Sequence, residues 1–481
     1  MKPANFVLLM ADEHSRKYLG CYGHDQVRTP NLDRLAEAGT LFDAAYCPSP
    51  LCVPSRASLA TGRPPHETRT WDDASPYLGP EGDSWGHRLT ANGSTVVTIG
   101  KLHYRSADDP TGFPDQRIPL HVKEGVGNLK GLLRGRGPTH EASRRHVTDA
   151  GEGSTDYHEY DREVARLACQ WIREEASRLD RPWALVVSFV APHFPYIAPP
   201  EYWEMYRDAN LTLPVSGDPT VWSRHPALEF FRRQHALDVP LTPPQTLEAL
   251  RAYAALATFV DDLIGEVLRT LEEQGFLANT RILYTSDHGD HLGEHGAWKK
   301  GTMLESSAGV PMILAGPDVP AGKVSGTNVS LIDVFPTIVE SAGASYLPED
   351  ASLTGTSLVR LANADDADRE IFCEYHSSWS TRAVYMIRRG AYKYIHHVDG
   401  PAQLFDVRQD PDELNDLASD EAQAERLADM ETSLRARLDP ERTDEIVRTQ
   451  QSALIDAAGG VDALRGERTL DFSPPPPAAH A

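Results

Sequence analysis

The sequence predicts an α/β fold, with a large, mostly parallel sheet flanked by helices and a smaller α+β domain at the C-terminal end. Three observations carry this expectation. Short apolar runs alternate with stretches of helical apolar spacing. Each run gives way to polar, turn-like residues, as strands buried on both faces do. From about residue 380 the alternation stops and short paired runs take over.

The candidate strands are residues 6–10, 95–99, 184–190 and 282–285. Candidate helices lie at 29–39, where Thr29-Pro30 forms a start and Gly39 a stop, and at 160–176 and 247–274. Two irregular segments, about 105–155 and 198–245, are rich in glycine, charged residues or proline. Insertions of this length shape an active-site mouth or an oligomer contact. Further on, 383–395 reads as a hairpin around Arg389-Gly390. Residues 404–417 read as a strand, a turn and a helix start, with a helix near 420–438. The expected organisation is therefore a main domain over 1–380, a smaller one over 381–465, and an extended proline-rich tail over 466–481 that is mobile or draped over a partner subunit.

A chain of 481 residues that is 40% hydrophobic has ample material for a large core. Its formal charge is −23, which argues against nucleic acid and anionic membranes as partners. A small anionic substrate stays compatible, because a local cationic pocket can sit inside an acidic protein. Five cysteines (Cys21, Cys47, Cys52, Cys169 and Cys373) show no disulfide framework. The first apolar run is too short for a signal segment or a membrane span. A cytoplasmic homo-oligomer, dimer or tetramer, is the expectation.

The four strand candidates end in chemically loaded residues. Asp12, Glu13 and His14 follow the first, and Lys101 and His103 the second. His193 follows the third, and Asp287, His288 and Asp290 the fourth. Taken singly, each is a surface carboxylate or a histidine satisfied by a backbone carbonyl. In an open α/β sheet, however, the carboxyl ends of strands form the ligand crevice, so the four groups converge. Asp12, Asp287 and His288 combine hard oxygens with one imidazole, which suits Ca²⁺, Mg²⁺ or Mn²⁺. Lys101, Lys300 and Arg56 are cations able to hold an oxyanion against such a metal. Read locally, Trp298-Lys299-Lys300 is an exposed turn.

Residues 49–63 read SPLCVPSRASLATGR. Pro54 fits the first turn of a helix that Gly62 stops, which sets Cys52 at a helix N-terminus. By itself this placement suggests either an activated thiolate or a buried structural cysteine. The segment closely resembles the sulfatase signature C-x-P-S-R-x(4)-T-G. The resemblance runs along almost the whole chain: FVLLMAD at 6–12, TPNLDRLAEAGTLF at 29–42, GKLH at 100–103, APHFP at 191–195, TSDHGDHLGEHGAWKK at 285–300, and the strand–turn at 404–417. Within the superfamily, 49–73 and 100–103 are most similar to the choline-sulfatase branch.

The resemblance implies an alkaline-phosphatase-like sandwich and hydrolysis of a sulfate ester. It implies that a formylglycine-generating enzyme oxidises Cys52 to formylglycine. One geminal hydroxyl of the hydrated aldehyde then attacks sulfur and the other expels sulfate. By the same resemblance Asp12, Asp287, His288 and the modified Cys52 hold one divalent metal, Ca²⁺ or Mn²⁺ ahead of Mg²⁺. Arg56 and His103 steady the formylglycine hydroxyls, and His103 is the base for release. Lys101 and Lys300 bind sulfate oxygens, and His193 serves the ester side. Two departures stand out. Glu13 occupies a place usually held by Asp or Gln, and either ligates the metal or turns away. Asp73 replaces an Asn of the choline-sulfatase branch, and must pair with a lysine or be protonated to sit near sulfate. Asp290, His291, Glu294 and His295 could stand behind the metal ligands, although a solvated loop fits His291 and His295 better. Trp71, Tyr104, Tyr196, Tyr375 and Trp379 are candidates for a leaving-group pocket.

Two other readings compete. A phosphonate or phosphodiester monoesterase shares the fold, but Lys101-Leu102-His103 favours sulfate. A non-catalytic oxyanion- or metal-binding protein would keep Cys52 as a thiol.

Overall fold

The computed structural model describes residues 2–79, 83–136, 139, 141–364, 368–466 and 473–476. Its centre is an eight-stranded sheet. In chain order the strands are β1 (Asn5–Asp12), β2 (Gly39–Phe42), β3 (Val96–Lys101), β4 (Asp115–Leu120), β5 (Ala184–Pro192), β6 (Thr280–Ser286), β7 (Met312–Ala315) and β8 (Lys323–Ser325). The spatial order is β8-β2-β7-β6-β1-β5-β3-β4. All neighbours are parallel except that β7 runs against both β2 and β6.

Strand β1 shows why the sequence reads as a continuous apolar run. Side chains alternate across a strand, and here both faces are covered. The expected helix at 29–39 is α1 (Pro30–Glu37). Phe6, Leu8 and Met10 join one core with Ala57 and Leu59 of helix α2 (Cys52–Thr61) and with Phe335 and Ile338. Val7, Leu9 and Ala11 join the other. There they meet Val164 and Ile172 of α3 (Asp156–Glu174), and Phe259 and Ile264 of α4 (Pro243–Glu273). Helix α3 begins at Asp156 rather than at 160. The polar residues ahead of its apolar stripe still form its first turn, opened by the Thr155 capping box. Helix α4 starts earlier than the apolar spacing indicates because Thr242 and Gln245 cap it and Pro243 takes its first turn. The four candidate strands likewise extend beyond their apolar runs; the extension takes in Asp12 in β1 and Lys101 in β3, while His193, Asp287 and His288 follow the ends of β5 and β6.

A second, antiparallel sheet holds β9 (Ile371–Tyr375), β10 (Val384–Arg389), β11 (Tyr392–His397) and β12 (Gln403–Asp406) in sequential order. The expected hairpin at 383–395 is β10–β11. Strand β9 lies ahead of the expected boundary at 380 and pairs with β10 along its whole length. One face of this sheet packs on α5 (Ala424–Arg437) through Met430 and Leu434. The other face, with Cys373, Tyr375 and Met386, shares a core with the large sheet. No helix follows directly on β12; the chain turns through 410–420, where the Asp410 and Asp416 carboxylates accept backbone N–H bonds. Of the proline-rich tail, only 473–476 falls within the described residues. Ser473 packs against this chain's own His103 and Tyr157. None of the described helices is long and apolar enough to cross a membrane, and all five cysteines are unpaired.

One position tests how the sheet aims its ends. Gly100 has φ +104°, and a Cβ there would lie 2.1 Å from the Ser188 carbonyl oxygen of β5. The register of β3 against β4 also shifts between Ile99 and Lys101, so this glycine turns Lys101 out of the regular ladder. Gly100→Ala should lower stability by about 1–3 kcal/mol, read as a drop in calorimetric Tm, and should cost activity even in the fraction that remains folded.

Candidate active site

All four polar clusters meet at the carboxyl edge of the parallel strands. Asp12 ends β1, Lys101 ends β3, His193 follows β5, and Asp287 and His288 follow β6. Helix α2 points its N-terminus at this edge, with Leu51 as N-cap, Cys52 as its first residue and Gly62 as a left-handed C-cap. Asp161 of α3 fixes the end of β5 by accepting the N–H groups of Val190 (2.8 Å) and Ala191 (2.7 Å). His193 follows directly.

Ligand atoms of Asp12, Cys52, Asp287 and His288 lie within 4.8 Å of one another, and all four residues are buried. The Cys52 Sγ is 3.1 Å from His288 Nε2 and 3.7 Å from Asp12 Oδ1. The His288 Nδ1–H donates to the Gly289 carbonyl (3.0 Å), which leaves Nε2 as the lone pair facing the group. Two carboxylates, an imidazole and the group at position 52 form a donor set that fits one divalent cation. Glu13 is outside this set. Its backbone has φ +61°, its N–H donates to Asp287 Oδ1 (3.1 Å), and its carboxylate turns toward Lys300 (2.7 Å) and His193 (3.2 Å). Burial pushes the Glu13 carboxyl up to about 8, against the opposing pull of Lys300.

Arg56 lies beneath the carboxylates, away from the cavity. Its Nε donates to Asp287 (2.8 Å) and its Nη2 to Asp12 (3.0 Å). Its Nη1 donates to the Lys101 carbonyl (2.6 Å) and to Ser188 Oγ (3.0 Å). All three guanidinium nitrogens are engaged, so this side chain clamps the two carboxylates instead of reaching an oxyanion. Lys101 Nζ contacts Asp12 Oδ2 at 2.5 Å.

A cavity of about 100 Å³ opens over the cluster, and Cys52, Asp73, Lys101, His103, His193 and Lys300 line it. The His193 Nδ1–H donates to the Phe194 carbonyl (2.7 Å), so Nε2 accepts from the Lys300 ammonium (3.0 Å). Burial and Lys300 hold His193 well below the usual histidine range. Burial, aided by Lys101 and Arg56, does the same for His103. His103 Nε2 lies 3.0 Å from Ser473 Oγ. Burial, then Asp12, keeps the Cys52 thiol well above the ordinary range. The helix N-terminus therefore does not activate a thiolate here, because desolvation outweighs it.

Asp73 accepts only a long bond from the Val53 N–H (3.4 Å) and forms no salt bridge among the described residues. Burial raises it to about 6, against the pull of Lys300, so it is neither salt-bridged to a lysine nor held protonated at neutral pH. His291 and His295 are buried, contrary to the solvated-loop expectation. His291 bonds Ser306 Oγ (2.9 Å) and Thr302 Oγ1 (3.1 Å), and His295 bonds the Asp412 carbonyl (2.9 Å). Lys299 and Lys300 are buried as well, where the local sequence suggested an exposed turn. Of the five pocket aromatics expected, Trp379 lines the cavity. Trp71, Tyr104, Tyr196 and Tyr375 belong to the packed interior. The sequence reading missed Asn128, Ser143, Ser377, Ser378 and Lys299 as lining residues. Asn128, Ser377 and Ser378 come from loops and Ser143 from the helix Glu141–Thr148, segments without a motif that converge only in the folded chain; Lys299 lies inside the 285–300 motif but reads locally as an exposed turn.

Comparisons with known proteins bear on the family and the fold. The sulfatase family model matches residues 4–344. A model described as N-sulphoglucosamine sulphohydrolase, C-terminal, matches 293–440. The choline-sulfatase of Rhizobium meliloti (strain 1021) is 33% identical over 463 residues, 93% of this chain and 89% of that protein. Arylsulfatase K of Danio rerio is 30% identical, covering 86% of this chain and 80% of its own. Among solved structures, a complex with the substrate D-glucosamine-2-N,6-O-disulfate superposes with TM-score 0.72 at 22% identity, covering 92% of this chain and 98% of that one. The phosphonate monoester hydrolase of Agrobacterium radiobacter gives 0.71 at 23%, covering 93% and 96%.

Removing the clamp should be costly. Arg56→Met leaves two buried carboxylates without their shared partner and should destabilise the fold by about 3–5 kcal/mol. Denaturant unfolding measures the loss, and elemental analysis of the purified variant should show depleted metal. Arg56→Lys should fall between, because one ammonium cannot bridge both carboxylates.

Proposed function

The chain belongs to the sulfatase family and is a sulfuric ester hydrolase, and from that premise we propose that Cys52, oxidised to formylglycine by a formylglycine-generating enzyme, is the nucleophilic position. The observation that carries this is the setting of Cys52. It heads α2 inside the four-donor cluster, yet its thiol is held protonated. The hydrated aldehyde supplies an oxygen nucleophile and a second hydroxyl through which sulfate can leave, an exit that serine and cysteine lack.

Asp12, Asp287, His288 and position 52 are the residues that would hold one divalent metal, Ca²⁺ or Mn²⁺ ahead of Mg²⁺. When bound, it supplies positive charge against the oxyanion. Arg56 keeps the two carboxylates apart and oriented. Lys101 and Lys300 bind the sulfate oxygens from the cavity wall. His193 accepts from Lys300 and so aims that ammonium at the leaving oxygen. His103, neutral and with Nε2 facing the cavity, takes the proton from the second hydroxyl during release. Glu13 holds Lys300 and His193 together.

The unpaired cysteines support a reducing compartment such as the cytoplasm. Exposed Leu213, Val215, Val221 and Val239 of the 198–245 insertion support a dimer or tetramer.

A phosphonate monoester hydrolase shares the fold, but Lys101 and His103 both line the cavity here, which favours sulfate. With the matured enzyme, kcat/KM for an aryl sulfate should exceed that for a phosphonate monoester. A preference for phosphonate by a few orders of magnitude would reverse the assignment. Peptide mass spectrometry of protein from its native host should show position 52 with sulfur replaced by oxygen and two hydrogens lost. Cys52→Ala should lower kcat by at least about 10³-fold.

A further inference from the structure

The sulfate end of the cavity is framed by strand ends and by α2, which Arg56 ties to the sheet. The rest of the lining has no such frame. Much of it comes from three short segments outside the sheets: the turn at Asp73, the stretch 127–131 and the turn 377–379. Segments of this kind keep one shape only where their backbone is held from outside. Here the hold comes from one helix, α6 (Pro440–Ala457), none of whose residues is among those lining the cavity.

The buried face of α6 runs Pro440, Asp444, Val447, Gln451 and Ile455, with the three- and four-residue spacing of a helix stripe. Apolar side chains at all five would pack at lower cost, because burying Asp and Gln strips them of hydration. Asp444 and Gln451 are nonetheless 0% and 2% exposed. Both find their partners next to the wall segments, and buried polar groups partnered in this way fix one geometry.

The Gln451 side-chain amide donates to the Asp72 carboxylate and to the His376 carbonyl, each at 2.7 Å. It thus holds the residue before Asp73 and the residue before Ser377. Asp444 holds the far end of the second turn, where it enters β10. Its Oδ1 accepts the Ala383 N–H (2.7 Å), and its Oδ2 meets Arg382 Nε (2.7 Å). Asp444 Oδ1 also meets Arg134 Nη1 (3.2 Å), and Arg134 Nε donates to the Ser380 carbonyl (3.3 Å). Arg134 closes the 127–131 stretch, whose Asn128 N–H donates to the Asp73 carbonyl (3.2 Å). Gln450 accepts from the Trp71 indole N–H (2.7 Å), and Ile455 packs with Ala74, Leu132 and Leu133. All three wall segments are therefore tied to one helix.

We propose that Asp444, Gln450 and Gln451 are positioning residues for substrate selection. They fix the wall that meets the alcohol half of the ester, and so set how sharply the enzyme discriminates among sulfate esters, without touching substrate or the reacting atoms. This rests on the sulfate-ester reading given above.

The test measures kcat and KM of the metal-loaded, formylglycine-containing enzyme on an aryl sulfate and on a panel of alkyl, choline and monosaccharide sulfates. Wild-type kcat/KM should span about tenfold or more across the panel. Gln451→Met leaves the Asp72 carboxylate and the His376 carbonyl without their shared donor. It should raise KM for the preferred ester by about tenfold, with kcat changed by less than about threefold and KM for the poorest ester little altered. Gln450→Leu, at a half-buried position, should act in the same direction by a smaller factor, and it reports on the wall even where Gln451→Met does not fold. Val447→Ala removes packing from the same helix face with these bonds intact. It should lower Tm and leave the ratio of KM values within about twofold of wild type. A wild type that does not discriminate across the panel overturns the role. So does an equal loss on every ester in Gln451→Met and Gln450→Leu, or a matching shift in Val447→Ala, since either marks a helix that only stabilises the fold. Turnover of phosphonates with none of sulfate esters would instead overturn the underlying function.

Discussion

The site depends on a buried cation shared by two carboxylates. Asp12 and Asp287 sit at the ends of adjacent strands, fully buried and close together, an arrangement that desolvation and mutual repulsion both oppose. Arg56 offsets this by donating to both at once, and Lys101 adds a second cation at Asp12. Burial would raise the Asp12 pKa, but the cations Lys101 and Arg56 outweigh it and hold the carboxyl well below its usual range. Asp12 is therefore ionised and ready to face a metal. The same guanidinium bonds the Lys101 carbonyl and Ser188, so one side chain ties α2 to β1, β3, β5 and β6. The position of Cys52 follows, four residues back on the same helix.

Backbone irregularities then aim the remaining groups. Regular strands would alternate their side chains between the two covered faces, away from the crevice. The register of β1 shifts between Met10 and Asp12, and that of β3 between Ile99 and Lys101. Glu13 and His103 both take positive φ. Such conformations are unfavourable for these residue types and persist only where the surroundings over-determine them. Here Tyr253 accepts the Ser15 N–H and donates to the Glu13 carbonyl, and Asp287 accepts the Glu13 N–H.

The C-terminal sheet completes the cavity as well as covering the core. Its 377–379 turn supplies one wall. Lys393 of β11 anchors the sheet through Glu305 and Glu413, and Arg16 meets Glu305 from the other side. Gln451 holds the neighbouring turns by bridging the Asp72 carboxylate and the His376 carbonyl, each at 2.7 Å. The shape of the leaving-group side is thus shared between the two sheets.

The sequence by itself determined the alternation of strands and helices, the strand ends that bear the candidate metal-ligand and cationic groups, and the Cys52 motif at a helix start. These are local properties: continuous apolar runs, helical apolar spacing, proline and glycine punctuation, and a contiguous signature. The tertiary structure decided which way the charged side chains face. Arg56 turned under the carboxylates, and Glu13 turned toward Lys300 and His193. His291, His295, Lys299 and Lys300 were buried instead of solvated, and four of five candidate aromatics went into the core. Each of these outcomes depends on partners far along the chain, such as Asp287 for Arg56 and Asp412 for His295. Local pattern carries no information about such partners until the sheet brings them together.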